Sequence, residues 1–430
     1  MSPAPGVRAG ILVTGTEVIT GRIRDRNGPW ISERLGELGV EVAHILTVAD
    51  RPADLEAGLR FLAVERCDLV VTSGGLGPTA DDLTAEIVGR FAGLEMVLDE
   101  GMERKIARII ARFARRFRFD PEALRAANRK QAMVPRGAAT VDPAGTAPGL
   151  VVAVEGGPTV IVMPGPPREL QAMWPQALGT DEARAVLNRA EPYGRQTLRM
   201  FGIPESEIAQ SLREIGSDLD LDPLEITTCL RRGEIEIDVR HRPGAEEVAR
   251  RLMDRLADRH ERFVFSRDGS TIDEQVAALL RDRRRIGLAE SCTAGLLAAR
   301  LAEPPGASDY LAGGVVSYSN ESKTELLGVP AELIERHGAV SPEIAEAMAD
   351  GAIERFEAGL GVGITGIAGP EGGSREKPVG YVCVCVKIEA GPTLARDSVI
   401  PGDRVEIKDR SCTLALHLIR RLLLGEDLPL

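Results

Sequence analysis

The sequence predicts an α/β protein built as two α/β sandwich domains joined by a small α+β module. Three observations carry this reading. In the first and last thirds, short runs rich in Val, Ile and Leu alternate with helical-period segments, the pattern of parallel sheets covered on both faces. The middle third orders its segments β-α-β-β-α-β instead. At 430 residues the chain is also too long for one hydrophobic core. The expected domains are 1–175, 176–266 and 267–430.

In the first domain Gly10–Thr14 reads as a buried strand, followed by Thr16–Gly21 and a helix from Asn27 to Leu38. Strand Glu41–Val48, helix Pro52–Val64 and strand Cys67–Ser73 follow, and the last runs into GGLGPTADDLT. That turn lies at the carboxyl end of the sheet, where open parallel sheets bind ligands. Gly74, Gly75 and Gly77 allow close backbone approach to a phosphate, and Asp81 and Asp82 beside them point to a divalent cation. The alternative is a tight turn whose aspartates cap the next helix. Strand Thr159–Met163 ends in PGPPREL at the same edge, where Gly165 can approach a ligand. GTAPGL at 145–150 reads as a structured loop of unassigned function, and Leu178–Ala190 as a polar connector.

The middle module comprises strand Arg195–Phe201, helix Glu205–Ile215, strands Leu224–Leu230 and Glu234–Arg240, helix Ala245–Asp258 and strand Phe263–Phe265. This order is KH-like, but the GxxG loop and basic platform of an RNA binder are missing. A spacer or homodimer contact is expected.

The last domain places strands at Ile286–Ala289, Gly313–Ser317, Gly361–Thr365, Val379–Lys387 and Arg396–Pro401, between helices at 273–284, 294–303, 341–358 and 403–424. Its chemistry is concentrated in three segments. IGLAESCTAG at 286–295 is an apolar strand that ends in a hydroxyl and a thiol before the run LLAARLAE, so Ser291 should lie near a helix N-terminus. Backbone amides there, those near Cys292 and Thr293 in particular, suit the oxyanion formed when a carbonyl is attacked. Cys292 is the rival nucleophile. YSNESK at 318–323 offers a base. Of 53 basic residues only six are lysines, and a desolvated lysine can lose its proton where arginine cannot, which singles out Lys323; a surface lysine opening a helix is the bland alternative. GITGIAGPEGG at 363–373, with Thr365, Gly366, Gly369, Gly372 and Gly373, is a glycine-rich loop able to receive an anionic substrate.

The bulk properties exclude several classes. A net charge of -12 argues against general nucleic-acid binding, and the arginines of Arg104–Arg118 recur at helical spacing as a solvated face would. No segment is apolar enough to span a bilayer and the N-terminus lacks a signal-peptide core, so a cytoplasmic protein is expected. Six scattered cysteines give neither a disulfide framework nor zinc spacing; Cys383 and Cys385 share one strand face as core residues. The five histidines are dispersed and offer no local Ser–His arrangement.

Gly15–Gly21, TSGGLGPTADDLT at 72–84, KQAMVPRGA at 130–138, GTAPG at 145–149 and MPGPPREL at 163–170 resemble the N-terminal half of the competence/damage-inducible CinA family, which is itself similar to the molybdopterin-binding MoaB/MogA proteins. AESCTAG, YSNESK, GITGIAGPEGG, KPVG and GDRVEI resemble the family's C-terminal nicotinamide mononucleotide (NMN) deamidase domain. The resemblance covers nearly the whole chain in order. It implies hydrolysis of NMN to nicotinic acid mononucleotide and ammonia without a cofactor, with Ser291 as nucleophile, Tyr318 and Lys323 as its partners, and Arg404 facing the substrate phosphate or Lys323. For the N-terminal half it implies a metal-dependent ADP-ribose pyrophosphatase with Gly15, Gly74, Gly75, Gly77 and Gly165 around the nucleotide, and Asp81, Asp82 and Glu17 as ligands. That activity as the main one, or a role as a DNA-uptake or repair interaction protein, are the alternatives. Ala294 departs from the glycine of many relatives, and Asp142 from their asparagine.

Overall fold

The computed structural model describes residues 6–114, 121–281 and 284–426. Its contacts form two compact units, Met1–Gly194 with Arg242–Gly244, and Arg195–His241 with Ala245–Leu430.

The first unit is organised by a six-stranded sheet in the order Glu41–Val48, Arg8–Thr14, Leu69–Ser73, Thr159–Met163, Gly149–Ala153, Ala139–Val141. The first four strands are parallel and the last two antiparallel. Side-chain alternation divides its apolar residues between two cores. Ile11, Val13, Val71 and Ile161 meet helices Asn27–Glu37, Pro167–Leu178 and Asp181–Leu187, whereas Leu12, Val70 and Val160 meet Pro52–Val64 and Thr84–Phe91. The segment Leu178–Ala190 is therefore not a polar connector. Thr180 caps a helix there, and Ala183 and Val186, three residues apart, bury its inner face against the first sheet while the polar residues stay outside. The loop expected at 145–150 passes directly into strand Gly149–Ala153. Part of the basic stretch Arg104–Arg118 lies outside the described residues; the described part is helix Glu100–Ala114, which buries Met102 and Ile106.

In the second unit, strands Leu224–Arg231, Glu234–His241, Gly194–Phe201 and Val264–Ser266 form one sheet, packed against helices Glu205–Ile215 and Glu246–Arg259. This is the expected β-α-β-β-α-β module. The other sheet runs Leu311–Val316, Ile286–Glu290, Leu360–Gly366, Tyr381–Ile388, Thr393–Val399, the first three parallel and the last two antiparallel. Helices Ile272–Arg281 and Arg404–Leu424 cover one face and Pro342–Phe356 the other. Gly363 admits that last helix at close range, because a Cβ there would stand 2.0 Å from the Ala345 carbonyl oxygen. Cys383 and Cys385 pack under the same helix as core thiols. No helix among the described residues is long and apolar enough to cross a membrane.

Candidate active site

Three loops leave the carboxyl ends of the parallel strands in the last sheet. Ser291 follows Ile286–Glu290, Ser317 and Tyr318 follow Leu311–Val316, and the glycine-rich loop follows Leu360–Gly366. Strand register sets them side by side, since Glu290 pairs with Val316 on one flank and Ile364 on the other. A reciprocal Ser319/Ser322 capping box then opens helix Asn320–Leu327, three residues ahead of Lys323. Lys323 and Leu327, one turn apart, form the buried side of this helix.

Lys323 is 1% exposed, and its Nζ donates to Ser291 Oγ at 3.2 Å and to the Ser317 carbonyl at 3.0 Å. No ion pair with a carboxylate holds it among the described residues. Burial accordingly depresses its ammonium below the usual lysine value, against weaker opposing effects from Cys292 and Glu321. The hydroxyl and amine singled out in the sequence thus meet directly. Tyr318 is exposed and does not bridge them: its hydroxyl accepts from Arg404 Nη2 at 2.8 Å, and Arg404 Nη1 donates to the Gly369 carbonyl at 2.6 Å. The loop beyond Gly369 is anchored by Lys377, whose Nζ donates to the carbonyls of His337 and Val340.

The helix N-terminus is not where the sequence reading put its function. The helix is Leu296–Ala302, and the amides of Gly295, Leu297 and Ala298 donate to the Glu290 carboxylate at 3.0, 3.1 and 2.8 Å. An anion already occupies these donors, so they cannot also hold an oxyanion. The amides of Cys292 and Thr293 have no acceptor among the described residues and remain open for that role. Ala294 and Gly295 turn the loop with φ of 53° and 89°; the first is a left-handed conformation that glycine adopts more easily. Cys292 is 4% exposed, and burial pushes its thiol up to about 12, so it stays protonated near neutrality. Two other expected substrate contacts are turned inward. The Thr365 hydroxyl donates to the Ala339 carbonyl, and the Thr293 hydroxyl is buried without a partner among the described residues.

In the first unit the loop after Leu69–Ser73 is drawn tight. A Cβ at Gly75, where φ is 67°, would stand 2.1 Å from Thr84 Oγ1. Gly165 lies against Gly74, and its carbonyl accepts from Asn27 Nδ2 at 2.7 Å. Gly75, Gly77, Asp82, Lys130 and Gln131 line one pocket. The expected metal triad does not assemble. Asp81 and Asp82 both accept from the Thr79 hydroxyl, the main cause that holds the Asp81 carboxyl below its usual value, and Lys130 donates to the Thr79 carbonyl. Among the described residues no three His, Cys, Asp or Glu side chains, Glu17 included, gather as a cation site. Each aspartate gives one oxygen to the turn, Asp81 Oδ1 and Asp82 Oδ2, and Glu17 does not complete a three-carboxylate set with them. Gly15 caps the short helix Thr16–Ile19 that carries Glu17.

Residues 10–181 match the family model described as "Probable molybdopterin binding domain", and residues 269–423 match "CinA C-terminal domain". A CinA-like protein of Mycobacterium sp. (strain JLS) is 58% identical over 418 residues, covering 97% of this chain and 99% of its own length. The chain belongs to the CinA-like family. Another CinA-like protein, from Mycolicibacterium gilvum, is 57% identical over 420 residues and covers 97% of this chain and 99% of its own. The crystal structure of the competence/damage inducible protein from Agrobacterium tumefaciens is 38% identical, covers 36% of this CinA-like chain and 96% of its own, and has a TM-score of 0.33.

Sequence reasoning missed Glu290, although it stands inside AESCTAG, and it missed Gln131, whose Nε2 donates to the Leu76 carbonyl in the N-terminal pocket. An acid ending an otherwise apolar strand was the available signal for the first. The second stands inside KQAMVPRGA, which marks the resemblance and no chemistry of its own.

Proposed function

We propose that the C-terminal domain is a serine amidohydrolase that converts nicotinamide mononucleotide to nicotinic acid mononucleotide and ammonia. The observation that carries this reading is the 3.2 Å approach to Ser291 of a buried lysine that forms no ion pair with a carboxylate among the described residues. As Ser291 Oγ bonds to the carboxamide carbon, its proton passes to the neutral Lys323 amine. The Cys292 and Thr293 amides hold the resulting oxyanion, each such donor contributing about 2.7–4 kcal/mol. The C–N bond then breaks as Lys323 returns the proton to the departing nitrogen, and ammonia leaves. Water, giving its proton to the same amine, hydrolyses the ester and restores Ser291.

Arg404 supports a phosphorylated substrate. Its guanidinium touches only a carbonyl and a phenol, both neutral, and no ion pair among the described residues uses its charge. Ammonia release tests the reading: Ser291→Ala lowers the NMN rate by about 10³-fold or more with an unchanged unfolding midpoint, and near-wild-type turnover removes Ser291 from its role.

For the N-terminal domain we propose binding of an anionic nucleotide, with ADP-ribose cleavage as the activity to test. Its support is the pocket where Gly75 and Gly77 stand beside Lys130. AMP release from ADP-ribose, with and without divalent cation, decides it; no release under either condition removes the activity.

A further inference from the structure

We infer that Glu290 is a positioning residue that holds both the nucleophile and the base of this site in register, an inference that rests on the serine-nucleophile reading above. Glu290 is 2% exposed, and among the described residues no cation pairs with it. Its carboxylate is satisfied by the three amides of Gly295, Leu297 and Ala298. This closes a ring around Ser291–Ala294: the side chain of Glu290 reaches past the loop that its own backbone begins. Inside the ring lies Ser291, and on its far side are the left-handed Ala294 and Gly295. A loop of that shape needs a fastening, and the charged hydrogen bonds supply one.

The backbone of Glu290 makes a second connection. Its carbonyl accepts from the Ser317 amide at 2.8 Å, and the Ser317 carbonyl is the other acceptor of Lys323 Nζ. One residue therefore joins the loop that presents the hydroxyl to the strand end that aims the amine. By taking the first amides of the helix, the carboxylate also leaves Cys292 and Thr293 as the open donors. Its charge adds to the burial that keeps the Cys292 thiol protonated, which favours the hydroxyl as the attacking group.

The test uses the full chain and two readouts: the rate at which a fluorophosphonate probe labels Ser291, and kcat and KM for NMN. Glu290→Gln keeps the shape but turns an N–H group toward a donor. It should slow both labelling and kcat by about tenfold or more while KM stays within about twofold, in a protein that still folds but with a lowered unfolding midpoint. Glu290→Asp keeps the charge with a shorter reach and should recover part of the loss. Should Glu290→Gln fail to fold, Glu290→Asp against wild type carries the test alone. Wild-type labelling and kcat in a folded variant would overturn the inference. A raised KM at normal labelling would do the same, by giving Glu290 to substrate contact. Absence of labelling in the wild type would overturn it together with the nucleophile. Slowed labelling in a protein that never releases ammonia from NMN would leave Glu290 in place and remove the substrate reading.

Discussion

The two ligand-facing sheets place similar parts at the same topological position. Each sets hydroxyls, a glycine-rich loop and a lysine near the carboxyl ends of parallel strands. They treat the lysine in opposite ways. Lys130 is partly exposed, binds the Thr79 carbonyl, and adds to the attraction that keeps the nearby Asp81 ionised. Lys323 is enclosed, and among the described residues no carboxylate forms an ion pair with it. The first stands beside a glycine-rich loop, a placement suited to attracting an anion. The second is a group whose proton can leave, because desolvation raises the free energy of its charged form. Environment, more than the motif around it, separates a lysine that can give up its proton from one placed to attract an anion.

The strongest way to break this comparison is Lys323→Arg, which keeps the charge and removes proton transfer. NMN deamidation should fall by about 10²–10⁴-fold, while Lys130→Arg leaves it unchanged. The wild-type kcat/KM should rise with pH through the depressed Lys323 value, with a midpoint below 10.5, and the arginine variant should lose that limb. The linkage sign is fixed by the same shift. Lys323 binds its proton less tightly folded than unfolded, so it costs stability below its folded value, and the cost fades as pH rises toward 10.5. Lys323→Met should therefore unfold at a higher temperature than wild type near neutral pH while losing activity. A lower unfolding temperature would mean that the site holds the amine charged and satisfied.

Arg404→Ala sharpens the comparison from the substrate side. KM for NMN should rise about 10–100-fold, with a smaller effect on the nucleoside that lacks the phosphate; equal losses for both would assign Arg404 to Tyr318 and the loop rather than to the phosphate. Cys292→Ala should alter kcat by less than about threefold, since a thiol held at about 12 contributes almost no thiolate near pH 7. Inactivation with Ser291 intact would exchange the two roles. The smallest effect belongs to Ala294→Gly, which relieves a left-handed alanine and should leave turnover unchanged with a stability gain of up to about 1 kcal/mol.

Much of the architecture was legible because burial on both faces writes continuous apolar strands into the sequence, and amphipathic helices write a 3.6-residue period between them. The helices expected at 403–424 and 341–358 appear as Arg404–Leu424 and Pro342–Phe356. The signal failed where few apolar residues carry the packing. Helix Asp181–Leu187 buries only Ala183 and Val186, and strand Ala139–Val141 has three residues, too short for a period. It failed again for Thr365, whose residue type suits a ligand but whose hydroxyl is spent on a carbonyl 26 residues earlier.

By itself, then, the sequence determined which chemical groups are present, which strands are buried, and that a hydroxyl, a lysine and a glycine loop each follow a strand end. These follow from local composition and spacing. Only the tertiary structure decided that Lys323 reaches Ser291 across 32 residues, that Glu290 takes the helix amides, and that Glu17, Asp81 and Asp82 do not gather as one cluster. Strand register and the desolvation of a side chain are properties of several segments at once, and no single window of residues contains them.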